Sequence, residues 1–494
     1  MSIFNHALLN NHQINCVEQD AISKGHSSYD LMEKAGSSVA DLVRVNFSNN
    51  HTLVLCGPGN NGGDGFVIAR YLKLSGWNVK LGCLVDTNNL KTDESKKMAN
   101  LWGDKVYEIN ENLFRGVELV IDSMYGTGLK RNLNEPLKKI IQIVNSLNIP
   151  KVAVDIPSGI NGDNGQIMGA AIKSDICIAF SSKRIGHAIQ PGREYCGKVI
   201  VTDIGIPKNS FAKVKAKVFE NHPNLWINKL KKKNYSDHKY TRGFSIINSG
   251  NVTKVGAARL ASYAALRIGS GIVGIVSKSE NLVAFNSSPA SLIKYSVDNL
   301  NEYKSLLKDH RHTSYLLGPG NGLNIDTLNF TLETMKKNIP TLIDADAIAI
   351  FKNRRKDLFD SIHEKCVLTP HDGEFKNIFP KISGNRLERC ERASRECKGV
   401  FVLKGNDTVI SDSKNFSIVN TCAPINLATA GSGDVLAGII VGLMSQGIEP
   451  FYSASIGTWV HSKAAQKYGN GMIADDIIDL IPEVLNDFHN YKKS

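Results

Sequence analysis

The sequence predicts two α/β domains, the first built on a parallel, doubly wound sheet. Three observations carry this reading. The 494 residues exceed one ordinary core, since domains usually run to ~100–200 residues. Short apolar runs alternate with helix-like stretches in both halves, the pattern of strands joined by crossover helices. Glycine-rich turns follow several of those runs in each half separately.

In order along the chain, residues 53–56 form a short apolar run that ends in glycines, and a helical stretch over 65–74 follows. Further strand-like runs lie at 79–85, 119–121, 152–154 and 176–180. Residues 221–237, with Pro223 and a lysine run at 229–234, are polar and weakly periodic, which predicts an interdomain connection. Beyond it, runs at 244–247, 272–276, 315–317, 341–343, 367–368 and 400–403 predict a second set of strands, and 257–268 a buried or amphipathic helix. The expected division is a first domain over 1–220, a linker over 221–237 and a second domain over 238–494.

Composition limits the function classes. With 42% hydrophobic and 21% charged residues, the chain has a globular balance and not a disordered one. The formal net charge of +12 favours anionic partners, among them phosphorylated small molecules, although a lysine-rich surface without function gives the same sum. The lysine run at 229–234 has no interleaved aromatics, so a nucleic-acid tail is not expected. The nine cysteines are scattered and form no C-x-x-C pair, which argues against zinc and against a disulfide framework. The first twenty residues do not read as a signal peptide. The apolar run at 435–444 falls short of the ~20 residues that cross a bilayer. A soluble, cytoplasmic protein is expected.

Ligands of open parallel sheets bind beyond the carboxyl ends of the strands, so the residues after each strand matter most. In the first half these are Gly57-Pro58-Gly59-Asn60-Asn61-Gly62-Gly63-Asp64, then Asp122-Ser123-Met124-Tyr125-Gly126-Thr127-Gly128-Leu129, then Asp155-Ile156-Pro157-Ser158. Glycines let backbone N–H groups approach a ligand, and a following helix N-terminus favours phosphate. A tight turn or a helix cap explains any one of these segments alone. Three in order in one domain predict a shared rim.

These segments, with Leu31-Met32-Glu33-Lys34-Ala35-Gly36 before them, resemble the NAD(P)H-hydrate epimerase family, known as the YjeF N-terminal family, over roughly residues 5–215. The resemblance implies a Rossmann-like domain in which Asn60, Asn61, Gly62, Gly63 and Asp64, together with Gly126, Thr127, Gly128, Leu129, Lys130, Arg131 and Asn132, contact a hydrated dinucleotide. It implies Asp155 at the reacting carbon, and a potassium ion held by Asn61, Asp122 and Ser158. An amide, a carboxylate and a hydroxyl suit a hard cation, and a strand-end carboxylate suits acid/base work at C6 of the hydrated ring.

The second half carries Thr429-Ala430-Gly431-Ser432-Gly433-Asp434 before an apolar helix. Small residues ahead of a helix gather N–H groups and a helix dipole around a developing anion, and Asp434 is placed to take a proton from a hydroxyl attacking phosphorus. An Asp capping a buried helix is the plainer alternative. Other strand ends supply Gly318-Pro319-Gly320, Thr369-Pro370-His371-Asp372 and Lys404-Gly405-Asn406-Asp407-Thr408.

With Gly256-Ala257-Ala258, residues 342–347 and Ala474-Asp475-Asp476, this set resembles the NAD(P)H-hydrate dehydratase family of the ribokinase-like superfamily, over about 238–490. The resemblance implies a ribokinase-like α/β domain. Ala257, Gly320, His371 and Asp434 would line the hydrate site, with Asp434 catalytic, while Lys404, Gly405, Asn406, Asp407, Thr408 and Gly433 contact the nucleotide. ADP would be the co-substrate, with magnesium on its phosphates. Three positions depart from the family pattern: Asp372 stands for the usual Pro, Ser432 for Thr, and Ser249-Gly250-Asn251 for a double glycine with Ser.

The expected whole is a bifunctional enzyme that epimerises hydrated NADH and NADPH and then dehydrates the S form with ADP. It would be a homo-oligomer that binds small molecules, neither nucleic acid nor membrane. Two other readings compete. The glycine–aspartate signal alone also allows a kinase for a sugar or vitamin hydroxyl. A non-enzymatic binding module is the other, and it predicts loss of Asn61, Asp122, Asp155 and Ser158, all of which are present.

Overall fold

The computed structural model describes residues 6–49, 51–231 and 234–492. They fall into two compact units, one ending at Val218 and the other beginning at Phe219. The expected two-domain α/β division holds, with the boundary at 218/219.

The first unit is a seven-stranded sheet of β1 (Thr52–Cys56), β2 (Val79–Cys83), β3 (Val106–Glu108), β4 (Leu119–Ser123), β5 (Lys151–Val154), β6 (Ile176–Phe180) and β7 (Lys198–Thr202). Their spatial order is β3-β2-β1-β4-β5-β6-β7, and every pairing is parallel. All five residues of β1 and of β4 are buried, as sheets covered by helices on both faces require. The chain order reverses between β1 and β4, and Cys56 lies in register with Ser123. Their carboxyl ends therefore open into one crevice, where ligands bind in such sheets. A short parallel pairing of Leu8–Leu9 with Lys183–Arg184 ties the helix Asn11–Ser23 to the rim beside β6.

The second sheet holds β8 (Val218–Glu220), which begins at the boundary residue, β9 (Phe244–Asn248), β10 (Ile272–Ser277), β11 (Ile293–Ser296), β12 (Ser314–Leu317), β13 (Thr341–Ile343), β14 (Cys366–Leu368), β15 (Val400–Leu403), β16 (Thr408–Ser411) and β17 (Ser417–Asn420). The order is β8-β17-β16-β15-β14-β13-β12-β9-β10-β11. It is parallel from β15 to β11, with β16 and β17 added antiparallel. The reversal here lies between β9 and β12. The helix Ser432–Ser445 is buried from Val435 to its end, which explains the unbroken apolar run. No helix among the described residues is long and apolar enough to cross a membrane. The cysteines are free, and seven of them are buried, as small core residues are.

The expected linker over 221–237 is a correction. The Asn221 N–H donates to the Val419 carbonyl (2.8 Å), and its side-chain amide donates to the Ser455 carbonyl (2.8 Å). Trp226 is fully buried among residues of the helices Pro450–Tyr468 and Ala474–Lys492, and its indole N–H donates to Asn221 (3.0 Å). Too few apolar residues stand in the segment for periodicity to reveal it, and one tryptophan does most of the anchoring. Lys232 and Lys233 of the lysine run lie outside the described residues. Trp226→Ala is expected to destabilise the second unit by ~3–5 kcal/mol. Denaturant unfolding of the full chain measures this as a lowered midpoint, where a linker residue would leave it unchanged.

Candidate active sites

In the first unit the crevice between β1 and β4 opens into a cavity of about 870 Å³. Of the residues expected there, Asn60, Asn61 and Asp64 from the helix Asn60–Leu74, Gly126 to Arg131 from the turn after β4, and Asp155 all line it. Gly62 and Gly63 do not. A β-carbon on Gly62 would run into the Gly57 carbonyl, and one on Gly63 would lie 2.6 Å from the Met32 sulfur. Their lack of a side chain serves close packing of the helix. Asn132 is exposed and off the wall.

Asp122 and Ser158 are fully buried beneath the cavity. The Ser158 N–H donates to one Asp122 oxygen (2.7 Å) and its hydroxyl to the other (2.6 Å). The same hydroxyl accepts from the Tyr125 N–H (2.8 Å) and lies 3.3 Å from the Tyr125 carbonyl. Burial pushes the Asp122 carboxyl up to about 6, and the Ser158 bonds work in the opposite direction. Asn61 reaches the same turn: a β-carbon on Gly126 would lie 3.3 Å from the Asn61 side chain and 3.0 Å from an Asp155 oxygen. The three strand ends do meet at one rim.

Asp155 follows β5 with φ +65°, a strained setting for a non-glycine residue that often marks a functional position. Its carboxylate accepts from the Thr127 N–H (3.2 Å) and from the Arg184 guanidinium (3.4 Å). Its backbone is held by His187. The ring nitrogen Nδ1 accepts from the Arg184 N–H (2.8 Å), so Nε2 carries the hydrogen and donates to the Asp155 carbonyl (2.8 Å). Burial keeps this imidazole neutral, lowering it to about 4 against the pull of Asp155. Arg184, and Glu18 from the first helix, also line the cavity. Sequence reading passed over both, because a lone Arg and a lone Glu outside any glycine turn carry no signal.

In the second unit, Asp434 is the third residue of the helix Ser432–Ser445, whose N-cap is Gly431 at φ +85°. Asp434 is therefore not the cap. Burial pushes its carboxyl up to about 6; Asp344 adds to the rise and Lys404 opposes it. The Lys404 ammonium donates to the buried Asp344 carboxylate (2.8 Å). Burial disfavours that ammonium, but Asp344, Glu374 and Asp434 outweigh it, and Lys404 stands above its ordinary value. A β-carbon on Gly433 would lie 3.7 Å from the Lys404 nitrogen, which joins the two segments at one point. Ala345, after Asp344, sits at φ +45°, and the Asp346 carboxylate accepts from the Gly322 N–H (2.8 Å). Asp344 and Asp346 had been given no role from sequence.

Gly320, at φ +67°, neighbours Ala257: a β-carbon there would stand 3.4 Å from the Ala257 methyl. His371 is exposed and caps the helix Asp372–Ile378, its Nδ1 accepting from the Gly373 N–H (3.0 Å) and the Glu374 N–H (3.3 Å). Gly405 and Asn406 are exposed beside Lys404. Asp407 and Thr408 are both buried. Asp407 pairs with Arg386, and the Thr408 hydroxyl closes the turn onto the Gly405 carbonyl (2.7 Å). Their side chains shape the loop.

Comparison with known proteins gives the family of each unit. Residues 28–186 match the family model of the YjeF-related protein N-terminus, and residues 246–483 match that of NAD(P)H-hydrate dehydratase. A bifunctional NAD(P)H-hydrate repair enzyme of Moorella thermoacetica is 31% identical, with 92% of each chain covered. One from Escherichia coli is 30% identical, over 94% of this chain and 90% of that one. A crystal structure of a ribokinase-like superfamily protein from Enterococcus faecalis covers 56% of this chain and 98% of its own, with 20% identity and a TM-score of 0.50, a likeness of fold. On the full-length relatives, the chain belongs to the family of bifunctional NAD(P)H-hydrate repair enzymes.

Proposed function

We propose that the first unit interconverts the R and S hydrates of NADH and NADPH at C6, and that the second dehydrates the S hydrate while ADP becomes AMP and phosphate. The carrying observation is that each unit sets one aspartate at the carboxyl edge of its own sheet, Asp155 on the cavity wall and Asp434 at a helix N-terminus beside Lys404.

In the first unit, Asn60, Asn61, Asp64 and the turn from Gly126 to Arg131 enclose the dinucleotide, and Asp155 handles a proton at C6. Potassium fits Asn61, Asp122 and Ser158. The donors are all oxygens, the Tyr125 carbonyl adjoins them, and Asp122 is a buried carboxyl without a basic side chain among the partners that shift it. Such an ion supplies the missing positive charge and stiffens the turn.

In the second unit, Asp434 takes the proton of the C6 hydroxyl as its oxygen attacks the terminal phosphorus of ADP. A phosphate ester forms and AMP leaves. The ring nitrogen then expels phosphate, and loss of a proton from C5 restores the double bond. Lys404, Gly405, Asn406 and Gly433 meet the nucleotide, while Ala257, Gly320 and His371 border the hydrate. Asp346 would offer an oxygen donor to magnesium, which would neutralise phosphate charge when bound. The buried free cysteines support a reducing compartment, hence the cytoplasm. A homo-oligomer belongs to the same reading.

Two variants test the division of labour. Asp434→Asn is expected to lose about 10²–10⁴-fold in ADP-dependent return of reduced-nicotinamide absorption, while interconversion of the hydrates, followed by chromatography, is kept. Asp155→Asn is expected to do the reverse. A stable phosphorylated product without reduced nicotinamide would point to a kinase instead. The pH dependence has a definite sign: a base raised to about 6 works only as the carboxylate. Dehydration kcat/KM should therefore fall as pH drops through about 6, and Asp434→Asn should remove that limb from the residual rate.

A further inference from the structure

The first cavity holds a second carboxyl with an environment opposite to that of Asp155. Asp64 lies one turn into the helix Asn60–Leu74, on the cavity wall. It is only 7% exposed. Asp155 accepts hydrogen bonds from the Thr127 N–H and from Arg184. Among the described residues, no hydrogen bond reaches the Asp64 carboxyl, and what acts on it is burial and then the nearby Asp155 and Glu18. All three influences raise it well above the ordinary carboxylate range. A largely buried carboxylate with no protein donor and two acidic neighbours is costly, and holding a proton removes the cost. A carboxyl that keeps its proton, beside a second one held by hydrogen-bond donors, can act with it as acid and base in one site.

We infer that Asp64 is a catalytic acid/base residue of the epimerisation, paired with Asp155 from a different strand end, and not merely part of the dinucleotide wall. The inference rests on the epimerase reading of the first unit. C6 of the hydrate carries a hydroxyl and is bonded to the ring nitrogen N1. Asp64 gives its proton to that hydroxyl, the C6–O bond breaks, and water leaves. The N1 lone pair forms a C6=N1 double bond, and the positive ring lies beside the Asp155 carboxylate, which stabilises it where the charge develops. Water adds to the opposite face, the C6–O bond forms again, and the π pair returns to N1. The excess proton of that water passes to the Asp155 carboxylate. One proton has left Asp64 and one has reached Asp155, and exchange with solvent restores the pair. In the opposite direction the roles are exchanged.

The test uses the full-length protein and purified R hydrate. Asp64→Asn keeps the shape and removes the acid. Epimerisation kcat is expected to fall on the order of 10²-fold with KM nearly unchanged, and an unaltered unfolding transition of the first unit serves as the control for folding. In ¹⁸O-labelled water, each inversion by the unaltered enzyme is expected to place one labelled oxygen at C6, above the uncatalysed exchange. Three results would overturn the inference: an unchanged kcat, a raised KM with kcat intact, or inversion without label. The isotope measurement needs no variant, so it decides against C6–O cleavage even where Asp64→Asn fails to fold. If the unaltered protein does not interconvert the hydrates at all, the epimerase reading has failed. If it does, and Asp64→Asn does equally well, only the role of Asp64 has failed.

Discussion

Asp122 is wholly out of water at the end of β4, and the first site depends on how that carboxyl is met. Removing a charged group from water costs several kcal/mol unless donors replace the solvent. Ser158 supplies two of them, an N–H and a hydroxyl. Because Ser158 follows β5, this contact pins the turn after β5 against the turn after β4. Asp155 is thereby held beside Gly126 and Thr127, in a backbone conformation it would not choose alone. The second unit solves the same problem with Asp344, sealed at the end of β13. Lys404 reaches it from the end of β15, across the intervening β14. In both units the group that satisfies the buried carboxyl also fixes the register of a neighbouring loop.

A second constraint recurs at each reversal of strand order. The first glycine after β1, Gly57, leaves no room for a β-carbon because the Met124 carbonyl of the opposite turn lies against it. After β9, Gly250 meets the Gly320 carbonyl in the same way. The floor of each crevice is thus two backbones in direct contact. This accounts for the altered turn Ser249-Gly250-Asn251. The position where any side chain would collide is glycine.

Much of this was legible in the residues. Strands buried on both faces, such as β1 and β4, show as apolar runs, and the turns after them show as glycines. The edge strands were not legible. In β11 only Tyr295 is even half-buried, so it carries no apolar signature; β7 carries the run Val199-Ile200-Val201 but is exposed or half-buried throughout. β16 and β17 were missed because an antiparallel hairpin breaks the alternation of strand and helix. Among site residues, those on glycine turns were found, and those delivered by other elements were not. Arg184 reaches Asp155 only because a two-residue strand pairs with Leu8–Leu9, and no local pattern announces that. The Asp407 side chain turns inward to Arg386, an orientation that no local pattern announces.

The departure at Asp372 shows how one altered residue can be absorbed. Proline at that position would fix the first turn of the helix Asp372–Ile378 through its ring. Aspartate has no such stiffness, yet its carboxylate is gripped by Arg386 (2.6 Å) and Arg389 (2.7 Å) from the helix Arg386–Cys397. Burial works against that carboxylate, and the two guanidinium groups outweigh it, holding Asp372 below its ordinary range. Arg386 is itself committed to the buried Asp407 and packs against Gly405, where a side chain would collide with its guanidinium. One arginine therefore links the turn carrying His371 to the loop carrying Lys404. Asp372 is half exposed, so its own ion pairs add little stability. The buried pair with Asp407 holds Arg386 in place, and Asp372 takes its position from an arginine already fixed. The charge clamp thus does locally what the proline ring does by covalent geometry.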